Sequence, residues 1–417
     1  MEKNRGITLI ALIITIVVML ILVAVSVNVI IKGNLIGIAN KTVNKYKTAS
    51  REEGTLNGLK INGRNLSSYI PLPDIKVGER ATEKSNYNGV TIPEGFTVSG
   101  IPGEQDKNKG LIIYDIPADV DLTKENFWTE TTTVGDKQYP KVQCDYNQFV
   151  WVPVKTPIIT KDEIDEILIN EGRQPGDGTD WIAMIRLAQR EIYPFAVKYG
   201  DVDNYRGSIY RFTNDSDSEE GVGITPEYSG DMGFEHLSNR EPDKLTGTDT
   251  KNVDLAKEEE LDLQTEYNNI VKSVIEQKGF WIARYELSSI TTAEGVIKGE
   301  SKRGKDVINS TWYNLYSVCG NVNLVSGKGV KSNMIYGSQY DQIMLWLRDL
   351  KNTTVTPTKS FVIESTNMGN LGTGEEKISG YDNSYSTYGI FDLAGNLGEW
   401  TVTASGDDVR IIRGRYI

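Results

Sequence analysis

The pattern of apolar and polar positions changes character along this chain, and each change predicts a different element. From Ile7 to Ile31 the pattern is continuous: ITLIALIITIVVMLILVAVSVNVII carries no charge between Arg5 and Lys32, and only Thr8, Thr15, Ser26 and Asn28 interrupt it. A helix of about 25 residues rising about 1.5 Å each reaches roughly 37 Å. That is enough to cross a hydrocarbon core of about 30 Å with some tilt. The stretch is therefore expected to be a single transmembrane helix. A cleaved secretory signal would have a shorter apolar core of roughly 7–15 residues, and a buried core helix rarely needs so long an uncharged run. From 32 to 50, Leu35, Ile38, Ala39, Thr42, Val43, Tyr46 and Ala49 recur every three or four residues, which predicts a juxtamembrane helix. Gly33 and Gly37 weaken it. Residues 51–90 are polar and glycine-rich and read as a stalk or linker.

After residue 90 the apolar runs become short and are bounded by Gly, Pro and Asn, as strands are. They include VTIPEGFTVSG, GLIIYDI and NQFVWVPV; the strongest spans Tyr146 to Val154, with Phe149, Val150, Trp151 and Val152 expected inside. Residues from about 155 to 255 read as an insertion. It carries a solvated acidic loop, NDSDSEEG, that lacks the spacing of a helix-loop-helix calcium site. Leu255 to Lys278 predicts an amphipathic helix, with Gly279 placed to end it. A buried strand in GFWIARYELS, a short helix in NSTWYNLYSVC and an amphipathic helix in Met334–Leu350 follow. Tyr340, Ile343, Met344, Leu347 and Leu350 form the inner face of that last helix. The fold class expected beyond the membrane helix is α+β, with short strands and a few helices.

Composition narrows the function. With 39% hydrophobic and 24% charged residues the chain is globular rather than disordered. The net charge of −12 argues against a nucleic-acid partner, which demands a basic face. Cys144 and Cys319 have no metal-binding spacing and leave one disulfide open as an option outside a cell. His236, the only histidine, sits in a polar loop and reads as a surface residue rather than a catalytic base.

Two resemblances sharpen this reading. The leader MEKNRG ends in Gly6 directly before the apolar run, and Lys3, Arg5, Gly6, Ile7, Thr8 and Leu9 resemble the start of type IV prepilins and pseudopilins. The resemblance implies cleavage between Gly6 and Ile7 and an ectodomain outside the membrane. The flanking charges by themselves set no orientation. Where that family usually carries Glu, this chain has Ala11, which counts against packing into a pilus.

The second resemblance lies near the C-terminus. Tyr388-Gly389-Ile390-Phe391-Asp392-Leu393-Ala394-Gly395-Asn396-Leu397-Gly398-Glu399-Trp400, followed by Arg413-Gly414, resembles the FGLYDMAGNVWEW and RGG motifs of formylglycine-generating enzymes (sulfatase-modifying factors). Those enzymes have a variant of the C-type lectin fold. The resemblance covers about 140–417. It implies that Gly389, Asp392, Gly395, Trp400, Arg413 and Gly414 define the fold. It also implies calcium, with Asn396 and Glu399 as ligands. The family's catalytic cysteine pair would lie beyond the RGG element, where this chain ends, so neither catalysis nor copper is expected. The ending itself suggests a shortened reading frame or fragment.

The organisation expected is a leader at 1–6, a transmembrane helix at 7–31, a juxtamembrane helix at 32–50, a stalk at 51–90 and an ectodomain at 91–417. The function expected is a surface-displayed bacterial binding protein, adhesin- or receptor-like, in the cell membrane. Its partners would be extracellular protein or glycan. Tyr381, Asn383, Tyr385 and Tyr388 are the candidate ligand-binding residues, because Tyr, Asn and Ser give aromatic contact and adaptable hydrogen bonding at low entropic cost. The alternatives are a minor pseudopilin of a pilus or type II secretion-like system and, last, a formylglycine-generating oxidase.

Overall fold

The computed structural model describes residues 60–61, 64–65, 71–154, 166, 169–170, 172, 197–199, 204–206, 222–224, 263–350, 361–363, 375–393, 395–404 and 410–413. The expected leader, membrane helix and juxtamembrane helix, and most of the expected insertion, lie outside these residues. Among the described residues no helix is long and apolar enough to cross a membrane. The chain divides into two compact units, 1–71 and 72–417. In the first, Lys60–Ile61 and Arg64–Asn65 form an antiparallel hairpin.

The second unit is a mixed α and β structure built on one four-stranded antiparallel sheet. Its strands run in the order Gly279–Ala283, Asn147–Pro153, Ile112–Asp115, Thr97–Val98. Side chains on a strand alternate between faces, and here both faces are apolar. Ile112, Tyr114, Val150, Val152 and Phe280 point into the larger core. Leu111, Ile113 and Trp151 belong to a second core, with Phe149 and Trp281 packed against it. A sheet buried on both sides loses the polar-and-apolar alternation of a solvated one, which is why its strands read as continuous apolar runs.

Two helices cover the larger core. Leu263–Gln277 buries Leu263, Tyr267, Val271 and Val274, one residue per turn. Gly337–Leu350 buries Tyr340, Ile343, Met344 and Leu347. Each such side chain contributes roughly 1.5–3 kcal/mol when fully buried. The expected end of the first helix needs correction. The left-handed residue there is Lys278, at φ 59°, and Gly279 already begins the sheet strand. Glycine is required at 279 for a different reason: a Cβ would stand 2.3 Å from the Trp151 ring.

The second core also corrects the expected stalk. Ile75, Ala81, Tyr87 and Val90 are buried there, together with Ile92, Phe96 and Val98. Residues 72–90 therefore belong to the packed unit rather than to a linker. Their polarity misleads because only about one side chain in four of this turn-rich stretch is buried, at irregular spacing: Ile75, Ala81, Ser85, Tyr87 and Val90. The disulfide left open by the sequence is not formed: Cys144 and Cys319 are free thiols. Cys144 lies in the short helix Lys141–Asp145 and Cys319 in the helix Trp312–Gly320. Burial pushes the Cys319 thiol up to about 12.

Candidate functional site

The motif near the C-terminus folds as a tight clasp. Ser386–Thr387 and Ile390–Phe391 pair as a hairpin around Tyr388 and Gly389, both at positive φ (48° and 88°). Two-residue hairpin turns demand that backbone, and glycine suits it best. Gly389 also faces Ile112 closely. Further left-handed residues are Asp392 at φ 55° and Asn396 at φ 69°; Asp and Asn tolerate this region better than other side chains. Glu399–Ala404 then pairs with Arg410–Arg413, with Glu399 opposite Arg413 and Trp400 opposite Ile412. Trp400 packs against the larger core, and Arg413 is buried with its Nη2 atom 3.8 Å from Asp341. Gly414 lies outside the described residues.

Asn396 is fully buried and works as a strap. Its side-chain oxygen accepts from the Lys377 N–H (2.8 Å). Its side-chain nitrogen donates to the Lys377 carbonyl (3.0 Å) and to a Glu286 carboxylate oxygen. Glu286 also accepts from the Leu397 N–H at 2.9 Å. Asp392 accepts from the Gly380 N–H at 3.2 Å. Glu399 differs: both its carboxylate oxygens are shielded from solvent and have no hydrogen-bond partner. Burial, then the Glu286 and Asp392 charges, hold its carboxyl well above the usual range. Burial and then Asp392 do the same to Glu286, against the opposing bonds from Asn396 and Leu397.

These residues meet only part of what calcium requires. Calcium takes six to eight oxygens. Glu399 offers two unbonded oxygens, but burial disfavours the charge a cation needs, and Asn396 is already bonded to Lys377 and Glu286. Among the described residues, no three His, Cys, Asp or Glu side chains gather closely enough to hold a metal ion.

Three of the four candidate ligand-binding residues, Tyr381, Asn383 and Tyr385, lie in one arc tied to this clasp through Asp392, which accepts from the Gly380 N–H and donates its own N–H to the Tyr385 carbonyl. Asp382 caps the turn Asn383–Tyr385 through its side chain, which accepts from the Ser384 N–H (3.0 Å) and hydroxyl (2.9 Å). The ammonium of Lys137 bonds the other Asp382 oxygen at 2.9 Å. The Lys137 bond, then the Ser384 N–H, hold the Asp382 carboxyl down at about 2. The same ammonium stands 3.7 Å from the centre of the Tyr381 ring, a cation–π distance. The Tyr381 carbonyl accepts from the Tyr139 hydroxyl at 2.9 Å. Gly380 lets the chain pass over Tyr285, whose ring would meet a Cβ at 2.5 Å. Asn383 and Ser384 are exposed, and Tyr381 and Tyr385 half-buried. Tyr388 sits apart at the hairpin turn, packed against the larger core and 6.1 Å from the Trp346 ring.

Beneath the arc lies a buried polar chain that sequence reasoning missed. Arg284 Nη1 pairs with Glu104 at 2.7 Å and donates to Gln148 at 3.1 Å. Ser99, Tyr114 and Gln143 also bond Glu104. Gln143 in turn accepts from Arg303 at 2.9 Å. The one available signal was Arg284 and Glu286 closing the apolar run GFWIARYE, since charges beside a buried strand need partners. Nothing in the local sequence marks Arg303 or Glu104. Comparison with known proteins finds no matching family model, no similar curated protein and no similar solved structure.

Proposed function

We propose that this chain is a surface-displayed bacterial binding protein, anchored in the cell membrane by residues 7–31 and carrying a non-catalytic, C-type-lectin-like head. The reading is supported above all by the arc at 381–385. It exposes Asn383 and Ser384 between two half-buried tyrosines on a backbone tied down by Asp382, Tyr139 and Arg303. A contact surface that is already ordered loses less entropy on binding than a mobile one. The motif at 388–400 serves this head as scaffold, through the Asn396 strap and the Asp392 bond to Gly380.

The test is to screen the full chain, purified in mild detergent, on printed glycan and protein arrays with and without calcium. Saturable binding that is lost on replacing Asn383 or Tyr385 is the expected result. No binding under either condition would remove the reading. The pilus-subunit alternative rests on Gly6 and its neighbours and is compatible with a binding head. Co-isolation of the chain with pilus fibres would support it.

A further inference from the structure

The four-stranded sheet has one closed edge and one open edge. At the closed edge, Thr97–Val98 is met by the segment before it. The Val98 carbonyl accepts from the Gly78 N–H (2.9 Å), the Val98 N–H donates to the Glu79 carbonyl (3.3 Å), and Arg80 bridges Thr97. At the other edge, Gly279–Ala283 has Asn147–Pro153 as its one neighbour. Successive residues of a strand turn their backbone groups to opposite sides. The Trp151 N–H donates to the Leu111 carbonyl (2.9 Å), so the odd-numbered residues of Asn147–Pro153 turn toward Ile112–Asp115. The Val154 N–H donates to the Lys278 carbonyl (2.9 Å) and the Arg284 N–H to the Gln148 carbonyl (3.1 Å), so the even-numbered residues turn toward Gly279–Ala283. Phe280 and Ile282 therefore turn inward, and Trp281 and Ala283 turn their N–H and C=O groups outward. Among the described residues nothing bonds these outward groups.

The side chains at this edge limit what can lie beside it. Phe280 belongs to the larger core and Ile282 packs against it, while Trp281 packs against the second core. Trp281, Ile282 and Ala283 are half-buried. Both cores thus run to the open edge, and a further strand continues them only if it is apolar on both faces. GFWIA also lacks the charge or proline that usually guards an exposed edge, and its ladder has no bulge. A second copy supplies the required chemistry. Among the described strands of this sheet that are apolar on both faces, Ile112–Asp115 and Asn147–Pro153 have both edges taken, and Gly279–Ala283 has one free. That strand is its own complement. Paired antiparallel about Trp281, each Trp281 donates to and accepts from the Trp281 of the other copy, and Ala283 stands opposite Gly279.

We propose that Gly279–Ala283 is a self-pairing edge through which two copies of this chain join their sheets into one antiparallel sheet. The strength of the pairing rests on the membrane anchoring proposed above. A five-residue edge offers less than the about 1,200 Å² of a standard interface. Copies held in one membrane by their anchors meet at a raised effective concentration.

The test reconstitutes the full chain in phosphatidylcholine vesicles at low and high protein-to-lipid ratio. Energy transfer between donor- and acceptor-labelled copies reads association, and hydrogen exchange reads the strand. At high density the amides of Trp281 and Ala283 should slow about tenfold, the equivalent of about one hydrogen bond. Those of Phe280 and Ile282 should be slow at both densities. Ala283→Pro removes an outward N–H, at a position where an edge strand tolerates proline. It should fold, and it should lose both the energy transfer and the slowing. Ile282→Pro removes an inward N–H on the side of Val150 and should lower the melting temperature sharply, which checks the inward and outward assignment.

Exchange at 281 and 283 that does not change with density overturns the proposal, as does energy transfer that survives in Ala283→Pro. If Ala283→Pro does not fold, Ala283→Lys, which keeps the N–H but charges the edge, carries the same test. A chain that does not insert into the vesicles overturns the anchoring, and the same exchange at rising protein concentration in detergent then decides the edge. Failure of the anchoring and failure of the self-pairing are thereby told apart.

Discussion

Asp115 joins the sheet to a loop far away in sequence, and its removal is the most direct test of how the unit 72–417 is held together. The residue ends the strand Ile112–Asp115 and is 1% exposed. Its carboxylate accepts three successive backbone N–H groups, from Val325 (2.6 Å), Ser326 (2.8 Å) and Gly327 (2.8 Å). Consecutive N–H groups converging on one anion form a nest. A hydrogen bond to a charged group contributes roughly 1.5–3 kcal/mol, so three set an upper limit of about 4.5–9 kcal/mol. Part of this is recovered on mutation, because Val325 is 54% exposed and the freed loop can turn to water. We expect Asp115→Ala to cost about 3–5 kcal/mol. Asp115→Asn is the more specific probe: it keeps the shape but sets an NH₂ group against at least one of the three N–H donors, for a cost of about 2 kcal/mol. Urea unfolding followed by tryptophan fluorescence measures the loss, and hydrogen exchange at 325–327 locates it. The reasoning is refuted if Asp115→Ala costs less than about 1 kcal/mol, or if Asp115→Asn matches wild type with the loop still protected.

The same loop is closed from its other side by Gly95, where a Cβ would lie 1.7 Å from the Ser326 carbonyl oxygen on a backbone at φ 90°. Gly95→Ala should therefore destabilise by about 3 kcal/mol or more, and a melting temperature equal to wild type would deny the close approach. The acidic pair in the clasp predicts a pH dependence. Glu286 and Glu399 have folded-state values raised above the unfolded one near 4.3. Their contribution to stability is complete below that value and is lost as the pH rises through the folded values. The melting temperature should fall from about pH 5 upward, and Glu399→Gln should flatten the fall. An unchanged slope in that variant would mean that Glu399 does not titrate as described.

The sequence alone determined much of this protein's local structure. The apolar runs of the central strands and the three-and-four spacing of the helix Gly337–Leu350 were legible, because burial writes its period directly into residue type. The composition of the arc was legible too, whereas the hairpin turn at Tyr388-Gly389 was not read from the sequence. What it left undetermined depends on pairings across long separations. Residues 72–90 look like a linker until Ile75, Tyr87 and Val90 meet the outer face of the sheet. Asn396 looks like a ligand residue until Lys377 and Glu286 take its amide. Arg303 carries no mark in its own neighbourhood, yet it ties Gln143 to Asn383 across 160 and 80 residues. Periodicity reports which way a side chain faces, because that is a local property of the backbone. The partner it meets there is decided by the packing of segments that lie far apart in the chain.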